Sequence, residues 1–196
     1  MHTPETENLN FASKFSAMRK LSMDELNRVS VEKFNELEKI PLICVLDNIR
    51  SQHNIGSIFR TSDAFRIEEL YLCGITATPP NREINKSALG ATESVKWQYF
   101  EHTLQAIEKL RNEGYTIVAV EQAVGSVDLE LYSHEPSGKV ALVFGNEVNG
   151  VSDDVMEMVD VCIEIPQFGT KHSFNVSVTA AIVMYQFFIK LKKNLF

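Results

Sequence analysis

The stretch IPLICVLDNIRSQHNIGSIFRTSDAFR, residues 40–66, shows the pattern from which the fold is predicted. Residues 40–46 are almost wholly apolar and rich in branched side chains, which is typical of a parallel strand that is buried on both faces. Residues 47–56 form a polar loop, and residues 56–66 carry apolar side chains at helical spacing. The stretch therefore predicts a buried strand followed by a helix.

The same alternation of strand and helix patterns continues along the chain. Further strands are predicted at residues 69–75, 95–100, 116–120, 140–144 and 161–165. Helices are predicted at residues 103–114, at residues 152–159 with Ser152 as N-cap, and from about Phe174 onward. The Pro- and Asn-rich residues 76–87 are interpreted as a loop. Strands that alternate with helices predict an α/β fold with a mostly parallel sheet flanked by helices.

Residues 1–39 differ from the rest of the chain because they are polar and lack strand patterns. Two helical segments are predicted there, around residues 10–20 and residues 23–38. The sequence SMDE, residues 22–25, has the spacing of a capping box at a helix N-terminus. We therefore expect a helical extension at residues 1–39 and one domain at residues 40–196.

The composition, with 44% hydrophobic and 23% charged residues, is that of a soluble globular protein. No apolar run approaches the ~18 residues of a membrane span, and the first residues contain no signal-peptide core. These features predict a cytoplasmic protein without membrane contact. The three cysteines are far apart and form no C-x-x-C pair or Cys/His cluster, so neither a disulfide framework nor a metal site is expected.

The formal net charge of −7 argues against a highly cationic nucleic-acid-binding protein. A local basic patch could still bind RNA, and one candidate patch comprises Arg50, Arg60 and Arg66. The alternative for these arginines is an ordinary solvated face.

Three loops rich in glycine, asparagine and other polar residues follow predicted strands, at residues 47–56, 145–151 and 166–175. In parallel sheets, ligands bind beyond the carboxyl ends of the strands, so these loops are candidate binding segments. In the first loop and the helix after it, Asn54 and Arg60 stand out, because an arginine there can bind a phosphate or a carboxylate. The alternative is that Asn54 caps the helix and Arg60 forms a salt bridge.

In the second loop, Gly145 and Gly150 bracket Glu147, and a glycine directly after a buried strand lets a ligand lie against the main chain. The spacing fits neither a Walker loop nor a dinucleotide fingerprint, and a plain turn with an exposed glutamate is the alternative. The third loop leads through Ser173 and Asn175 into the last helix. Capping by Ser173 would account for only one of its polar residues.

Together, the segments NIGSIFRTSDAF, LVFGNEVNGVS and IPQFGTKHSFNVSVTAA resemble the three motifs of the SpoU family of RNA ribose 2′-O-methyltransferases, in the SPOUT superfamily. The resemblance extends from about residue 40 to about residue 190. It implies a trefoil knot in the C-terminal half of the sheet, S-adenosyl-L-methionine bound within the knot loops, and a homodimer with its active site at the interface. The apolar last helix agrees with a dimer interface and equally with burial inside one chain.

The resemblance also implies roles for individual residues. The catalytic residues that it implies are Asn54, Arg60, Glu147, Ser173 and Asn175. The cofactor-binding residues that it implies are Gly145, Ile165, Ser173, Phe174 and Asn175. Phe174 is a mild departure from the leucine that is common at this position, and contacts through the main chain would tolerate it.

The implied chemistry agrees with these residue types. The methyl donor is a sulfonium and needs no metal, whereas the acceptor hydroxyl is a poor nucleophile until its developing charge is stabilised. Because arginine stays protonated in proteins, Arg60 is better suited to hold a phosphate and stabilise an alkoxide than to accept a proton. His53 and His172 have pKa values suited to a base, but each is also an ordinary loop residue, and the role of Lys171 stays open.

The favoured hypothesis is S-adenosylmethionine-dependent 2′-O-methylation of a ribose in a structured RNA, either tRNA or rRNA. We favour tRNA because only residues 1–39 precede the predicted core, which leaves no bulky accessory domain there. One alternative is a non-catalytic RNA-binding or ribosome-assembly factor on the same fold, in which loss of Arg60, Glu147 or Asn175 would be expected. The other is a small-molecule transferase, which the acidic charge favours but which leaves the first motif without an explanation.

Overall fold

The computed structural model describes residues 19–26, 28–133 and 138–192. The chain divides into two units at Ser30 and Val31. In the first unit, the main-chain N–H of Ser22 donates to the Glu25 carboxylate at 2.8 Å and that of Glu25 to the Ser22 hydroxyl at 3.4 Å. The predicted capping box is therefore confirmed, around a short 3-10 helix at Asp24–Leu26.

The prediction of one continuous helix over residues 23–38 is wrong. A separate six-residue helix, α1, spans Val31–Glu36 in the second unit, and residues 28–30 before it are not helical. Val29 and Ser30 are weak helix formers, and we attribute the break to them. The other predicted helix, around residues 10–20, lies almost wholly outside the described residues, and the domain boundary at residues 39 and 40 stays a prediction.

Seven strands and six further helices follow α1 within the described residues. The strands are β1 (Ile40–Asp47), β2 (Ile67–Cys73), β3 (Trp97–Phe100), β4 (Tyr115–Val120), β5 (Val127–Asp128), β6 (Lys139–Phe144) and β7 (Val161–Glu164). The helices are α2 (Gln52–Ala64), α3 (Arg82–Ala88), α4 (Ala91–Ser94), α5 (Thr103–Asn112), α6 (Asp153–Met156) and α7 (Val176–Leu191). The strands form one sheet in the order β3-β2-β1-β6-β4-β7-β5, and each neighbouring pair is parallel. The predicted α/β fold with a parallel sheet flanked by helices is confirmed.

The central strand β1 explains why its sequence is apolar without alternation. It pairs with β2 on one side and β6 on the other, and all of its residues except Pro41 are buried. Leu42 and Leu46 pack into a core that includes Phe59 of α2 and residues of α7. Ile43 and Val45 point to the opposite face and pack against α5, as the period of two in a strand requires. Two cores therefore cover the two faces of the sheet.

Several boundaries differ from the predictions. Residues 76–87, which we interpreted as a loop, include most of α3, whose first turn is capped by the Asn81 side chain at 2.9 and 3.2 Å. Helix α2 begins at Gln52, so much of the first polar loop is its first turn. Helix α6 is shorter than predicted, and the two-residue strand β5 is too short to show a pattern that could be predicted.

The longest described helix, α7, has 16 residues, and no helix within the described ranges is long and apolar enough to cross a membrane.

Candidate active site

The three predicted loops open at the same edge of the sheet because all the paired strands are parallel. At this edge, Glu147 reaches the N-terminus of α2. Its carboxylate accepts hydrogen bonds from the main-chain N–H groups of Arg50 at 2.9 Å and Ser51 at 3.0 Å. It also accepts one from the Nδ2 atom of Asn54, at 2.9 Å. The second motif therefore holds the first motif in place.

The third motif joins the same network through Asn175. The Nδ2 atom of Asn175 donates to the Oδ1 atom of Asn54 at 3.1 Å. Since an ionised carboxylate can only accept, the contact with Glu147 fixes which end of the Asn54 amide faces which partner. Asn54 is only 7% exposed, so both of its contacts replace solvent. One continuous chain of hydrogen bonds thus links the three motifs.

The electrostatics of Glu147 favour its charged form. Partial burial of the carboxylate raises its pKa, but the hydrogen bonds from the Arg50 N–H, the Asn54 side chain and the Ser51 N–H outweigh this effect and bring the pKa below its usual range. Glu147 is therefore ionised at neutral pH with its lone pairs engaged. Such a group acts as a hydrogen-bond acceptor and is poorly suited to take up a proton.

A cavity of about 290 Å³ lies against this network. Its lining includes five of the predicted site residues, which are Gly145, Glu147, Ile165, Ser173 and Phe174. Asn175 is not part of the lining and contacts the site through Asn54. Apolar side chains of the lining, among them Val120 and Phe144, lie beside carboxylates such as Glu121. An aromatic base and a positive charge would both find complementary surfaces there.

Two glycines give the cavity its shape. The turn after β6 closes with two hydrogen bonds of 2.9 Å between the main chains of Asn146 and Gly150. A Cβ atom at Gly145 would lie 2.1 Å from the carbonyl carbon of Gly150 and 2.1 Å from the nitrogen of Val151, so the turn can fold back only onto glycine. Gly150 has a positive φ of 71° and a Cβ there would lie 2.4 Å from a carboxylate oxygen of Glu121.

Glu121 and Gln122 follow β4 and line the cavity, and neither was predicted from the sequence. Glu121 accepts a hydrogen bond from the N–H of Val151 at 3.1 Å, and Gln122 donates from Nε2 to the carbonyl oxygen of His172 at 2.7 Å. These two side chains connect the second and third loops to β4. These two residues could have been found from the sequence, because they are polar residues directly after a buried parallel strand. The other three loops were selected by that same feature.

Asp47 is a third residue of the site that was not predicted from the sequence. It lies at the end of β1 and is 1% exposed. Its carboxylate accepts from the N–H and hydroxyl of Ser152, at 2.8 and 2.7 Å, and from the hydroxyl of Thr103, at 2.6 Å. Ser152 is at the N-cap position of α6 as predicted, but its hydroxyl bonds Asp47 instead of capping the helix. Asp47 therefore fastens the end of the second loop to β1 and α5.

The remaining predicted site residues are more exposed. Arg60 lies on the exposed side of α2, and its side chain makes no hydrogen bond or salt bridge to any residue that the structure describes, so the salt-bridge alternative finds no partner among those residues. Ser51, not Asn54, is the N-cap of α2. Ser173 is exposed, and the cap of α7 is Asn175, whose Oδ1 accepts from the Ser177 N–H at 2.8 Å.

Three residues whose roles were open lie at the surface. His53 is an exposed residue in the first turn of α2, and its carbonyl oxygen accepts from the hydroxyl of Ser87 at 2.9 Å. Lys171 and His172 are exposed in the third loop, and His172 also lines the cavity. Neither histidine ring takes part in the hydrogen-bond chain that links the motifs.

Comparison with known proteins identifies the family. A model of the SpoU rRNA Methylase family matches residues 41–185. The chain belongs to this family. The matched residues include every residue of the hydrogen-bond chain and the whole cavity lining, so the site described above lies within the SpoU domain. The resemblance of the three motifs is thereby confirmed.

The relatives of this SpoU family member are RNA methyltransferases by name. It is 36% identical to a tRNA (guanosine(18)-2′-O)-methyltransferase of Aquifex aeolicus over 74% of the chain and 67% of that protein. It is 28% identical to a protein of the same name from Borreliella burgdorferi, over 92% of the chain and 81% of that protein. A 23S rRNA (guanosine-2′-O-)-methyltransferase RlmB of Neisseria meningitidis is 31% identical, over 81% of the chain and 62% of that protein.

Solved structures of the family share the fold. The TrmH/SpoU tRNA modifying enzyme of A. aeolicus superposes with a TM-score of 0.72 at 28% identity, over 84% of the chain and 81% of that protein. An AdoMet-bound rRNA methyltransferase of Sinorhizobium meliloti gives a TM-score of 0.72 at 26% identity, over 86% of the chain and 62% of that protein. The cavity of this SpoU family member, with apolar walls, carboxylates and a glycine-lined turn, fits a ligand of the AdoMet type.

Proposed function

We propose that this protein transfers a methyl group from S-adenosylmethionine to the 2′-hydroxyl of a ribose in a structured RNA, with tRNA favoured over rRNA. The observation that carries the proposal is the hydrogen-bond chain from Glu147 through Asn54 to Asn175, directly beside the cavity. The two relatives named tRNA methyltransferases, which this chain matches over 81% and 67% of their lengths, support tRNA.

The cavity residues would hold the methyl donor. Gly145, Ile165 and Phe174 would contact it largely through their main chains, and Ser173 would lie near the reacting centre. The donor would supply an already electrophilic methyl group, so this reaction requires no metal. The protein contributes alignment of the acceptor oxygen with the methyl carbon, which makes the step effectively unimolecular.

Asn54 would orient the acceptor. Its amide has four hydrogen-bonding positions, of which Glu147 and Asn175 occupy two. The remaining N–H and lone pair can meet a ribose hydroxyl. Glu147 and Asn175 would then act through Asn54, as positioning residues that fix its amide. This division of labour follows from the lowered pKa of Glu147 and from the three hydrogen bonds that its carboxylate accepts.

Arg60 would bind a phosphate and stabilise the developing alkoxide, because its guanidinium is exposed and always charged. The proton acceptor stays open between solvent and the surface histidines.

We propose in addition that the protein is a homodimer formed through α7. Val178, Ile182 and Tyr185 give α7 an exposed apolar stripe, and α2, which carries Arg60, packs on α7 through Phe65 and Phe188 with ring centroids 5.1 Å apart.

The proposal includes the trefoil knot and the cytoplasm as the cellular location. The path of the chain supports the knot, because β7 pairs with β4 on one side of β6 whereas the following helix α7 packs against α2 and β1 on the other side. The reducing cytoplasm suits the three free cysteines, of which Cys44 and Cys73 are buried. The RNA substrate itself supports this location.

The decisive experiment supplies labelled S-adenosylmethionine and either tRNA or rRNA from a strain that lacks the gene, and then maps the modified nucleotide. We expect label in one ribose of tRNA. Donor binding without transfer to any RNA would overturn the enzymatic proposal and favour the non-catalytic RNA-binding alternative. Transfer to a small molecule, with little dependence on salt, would favour the third alternative.

A further inference from the structure

A second concavity, of about 380 Å³, is lined by Arg50, Ser51 and Glu147. Glu147 also lines the first cavity, so this residue forms a wall that the two share. Asn54, the proposed orienting residue, is bonded to this wall. A ligand in the second concavity would therefore lie next to a methyl donor in the first.

The main chain of Arg50 contacts Glu147, whereas its side chain is available for a ligand. Its N–H donates to Glu147 at 2.9 Å, and any residue other than proline can make that contact. Its side chain is exposed and has no hydrogen bond or salt bridge with the part of the chain that the structure describes. The guanidinium is thus a free cation in the lining of the second concavity.

We infer that the second concavity binds the acceptor nucleotide of the RNA, and that the Arg50 guanidinium binds a phosphate that flanks the acceptor ribose. This inference rests on the proposed function, because a methyl acceptor has to lie within about 3–3.5 Å of the methyl carbon and hence against the shared wall. The phosphates of an RNA strand are attached directly to its riboses. A phosphate therefore has to lie close to the same wall.

The chemistry of the lining agrees with a phosphate. An arginine presents a fork of N–H donors that matches two phosphate oxygens, and the protein has a net charge of −7, so a local cation is needed to attract a polyanion. The Ser51 hydroxyl accepts from the Asn54 N–H at 3.3 Å, which leaves its own proton for a phosphate oxygen. The Glu147 charge is compensated by three N–H donors and so opposes the anion less.

The test compares Arg50→Ala and Arg50→Lys with the wild-type protein. Lys96→Ala is the matched control, because Lys96 is an exposed cation directly before β3, at the opposite edge of the sheet. Binding of unmodified tRNA is measured over a range of salt concentrations, together with S-adenosylmethionine affinity, thermal stability and the KM and kcat of transfer. The glutamate contact is preserved in both variants because it involves the main chain.

We expect Arg50→Ala to weaken tRNA binding about 5- to 20-fold and to reduce the slope of log K against log salt by ~0.7–1. The KM for tRNA should rise as tRNA binding weakens, whereas the affinity for S-adenosylmethionine and the melting temperature should stay unchanged. Arg50→Lys should restore the salt slope and only part of the affinity, because an ammonium lacks the fork. Lys96→Ala should stay within about twofold of wild type, as expected for a surface charge away from the RNA.

Two results would overturn the inference. One is an unchanged tRNA affinity and salt slope in Arg50→Ala, which would show that the concavity does not bind the strand. The other is a loss of donor affinity or stability in the same variant, which would assign Arg50 a structural role. The proposed function is tested separately, by methyl transfer with the wild-type protein. The Arg50 variants are compared by their RNA binding, which can be measured even if no methyl group is transferred.

Discussion

The Nδ2 atom of Asn54 donates a hydrogen bond of 2.9 Å to the carboxylate of Glu147, although 93 residues separate the two in the chain. The same carboxylate accepts from two N–H groups at the N-terminus of α2. The Glu147 side chain therefore both holds the residues that lead into α2 and fixes the amide that we propose to orient the RNA. The consequences can be tested in the pH dependence of stability.

Glu147→Gln should lower the free energy of unfolding at pH 7, because an amide cannot accept all three hydrogen bonds. The folded protein lowers the pKa of Glu147, so the carboxylate stabilises the fold above its ordinary pKa of about 4.3, and this contribution disappears as the pH falls through the lowered value. The difference between wild type and Glu147→Gln should therefore shrink on acidification. Urea unfolding at several pH values measures it, with Glu130→Gln, at an exposed glutamate, as control. A pH-independent difference would contradict the linkage.

Arg60→Ala should abolish methyl transfer and leave both donor affinity and stability nearly unchanged. The donor contacts are assigned to other loops, and the exposed guanidinium has no partner within the described chain, so stability should change by less than about 0.5 kcal/mol. Transfer assays and calorimetric titration with S-adenosylmethionine measure the two effects. A large loss of donor affinity would show that the division of labour is wrong.

Gly145→Ala should weaken donor binding at least about tenfold and destabilise the fold by roughly 1–3 kcal/mol, as overpacking does. The new Cβ would meet main-chain atoms of Gly150 and Val151 at 2.1 Å, and main chain cannot rotate away. Gly169→Ala is the matched control, because a Cβ there meets nothing within 4 Å. Titration with donor and urea unfolding of both variants test the prediction, and equal behaviour of the two would refute it.

Asp47→Asn should destabilise the protein by roughly 3 kcal/mol, because an amide group would face buried donors that a carboxylate now satisfies. Ser152→Ala removes only one hydroxyl contact and should cost about 1 kcal/mol. Both substitutions should reduce donor affinity in the same order, since Asp47 fastens the loop that lines the cavity. Unfolding in urea gives the free energies. A larger effect for Ser152→Ala would contradict the role of Asp47.

Ile182→Glu should convert the protein from a dimer to a monomer and reduce methyl transfer. A charge in the middle of the apolar stripe on α7 would be buried without a partner in a dimer interface. Light scattering after size exclusion measures the molar mass. Val124→Glu, at a fully exposed apolar residue away from α7, should leave the dimer intact. A monomeric wild-type protein would refute the proposed dimer.

Most strands and helices could be predicted from the sequence because the residue patterns that predict them are local. A strand such as β1, buried on both faces, has to be apolar at nearly every position, and the helix α5 has to be amphipathic. Predictions failed where the local signal was weak. The helix α3, which has only seven residues, lies just after two prolines, and its cap Asn81 was interpreted as part of a loop.

The candidate site was predicted in part for the same reason. Gly145, Ile165, Ser173 and Phe174 stand next to the strand ends in the sequence, and they line one cavity. Glu121 was missed because its loop carries no recognised motif, and Asp47 because a carboxylate at a strand end shows its partners only after folding. Spacing along the chain cannot show contacts that depend on strand order.

The sequence by itself determined the α/β pattern, the strand ends at which the site had to lie and the family that the motifs resemble. Only the tertiary structure decided that Asn54 lies between Glu147 and Asn175, residues that are 93 and 121 positions away from it in the chain. It also decided that Asn175 caps α7, and not Ser173, for which capping was the alternative to a role in binding. The reason is physical: hydrogen bonds act over about 3 Å, and only the pairing order of the strands brings these side chains within that distance.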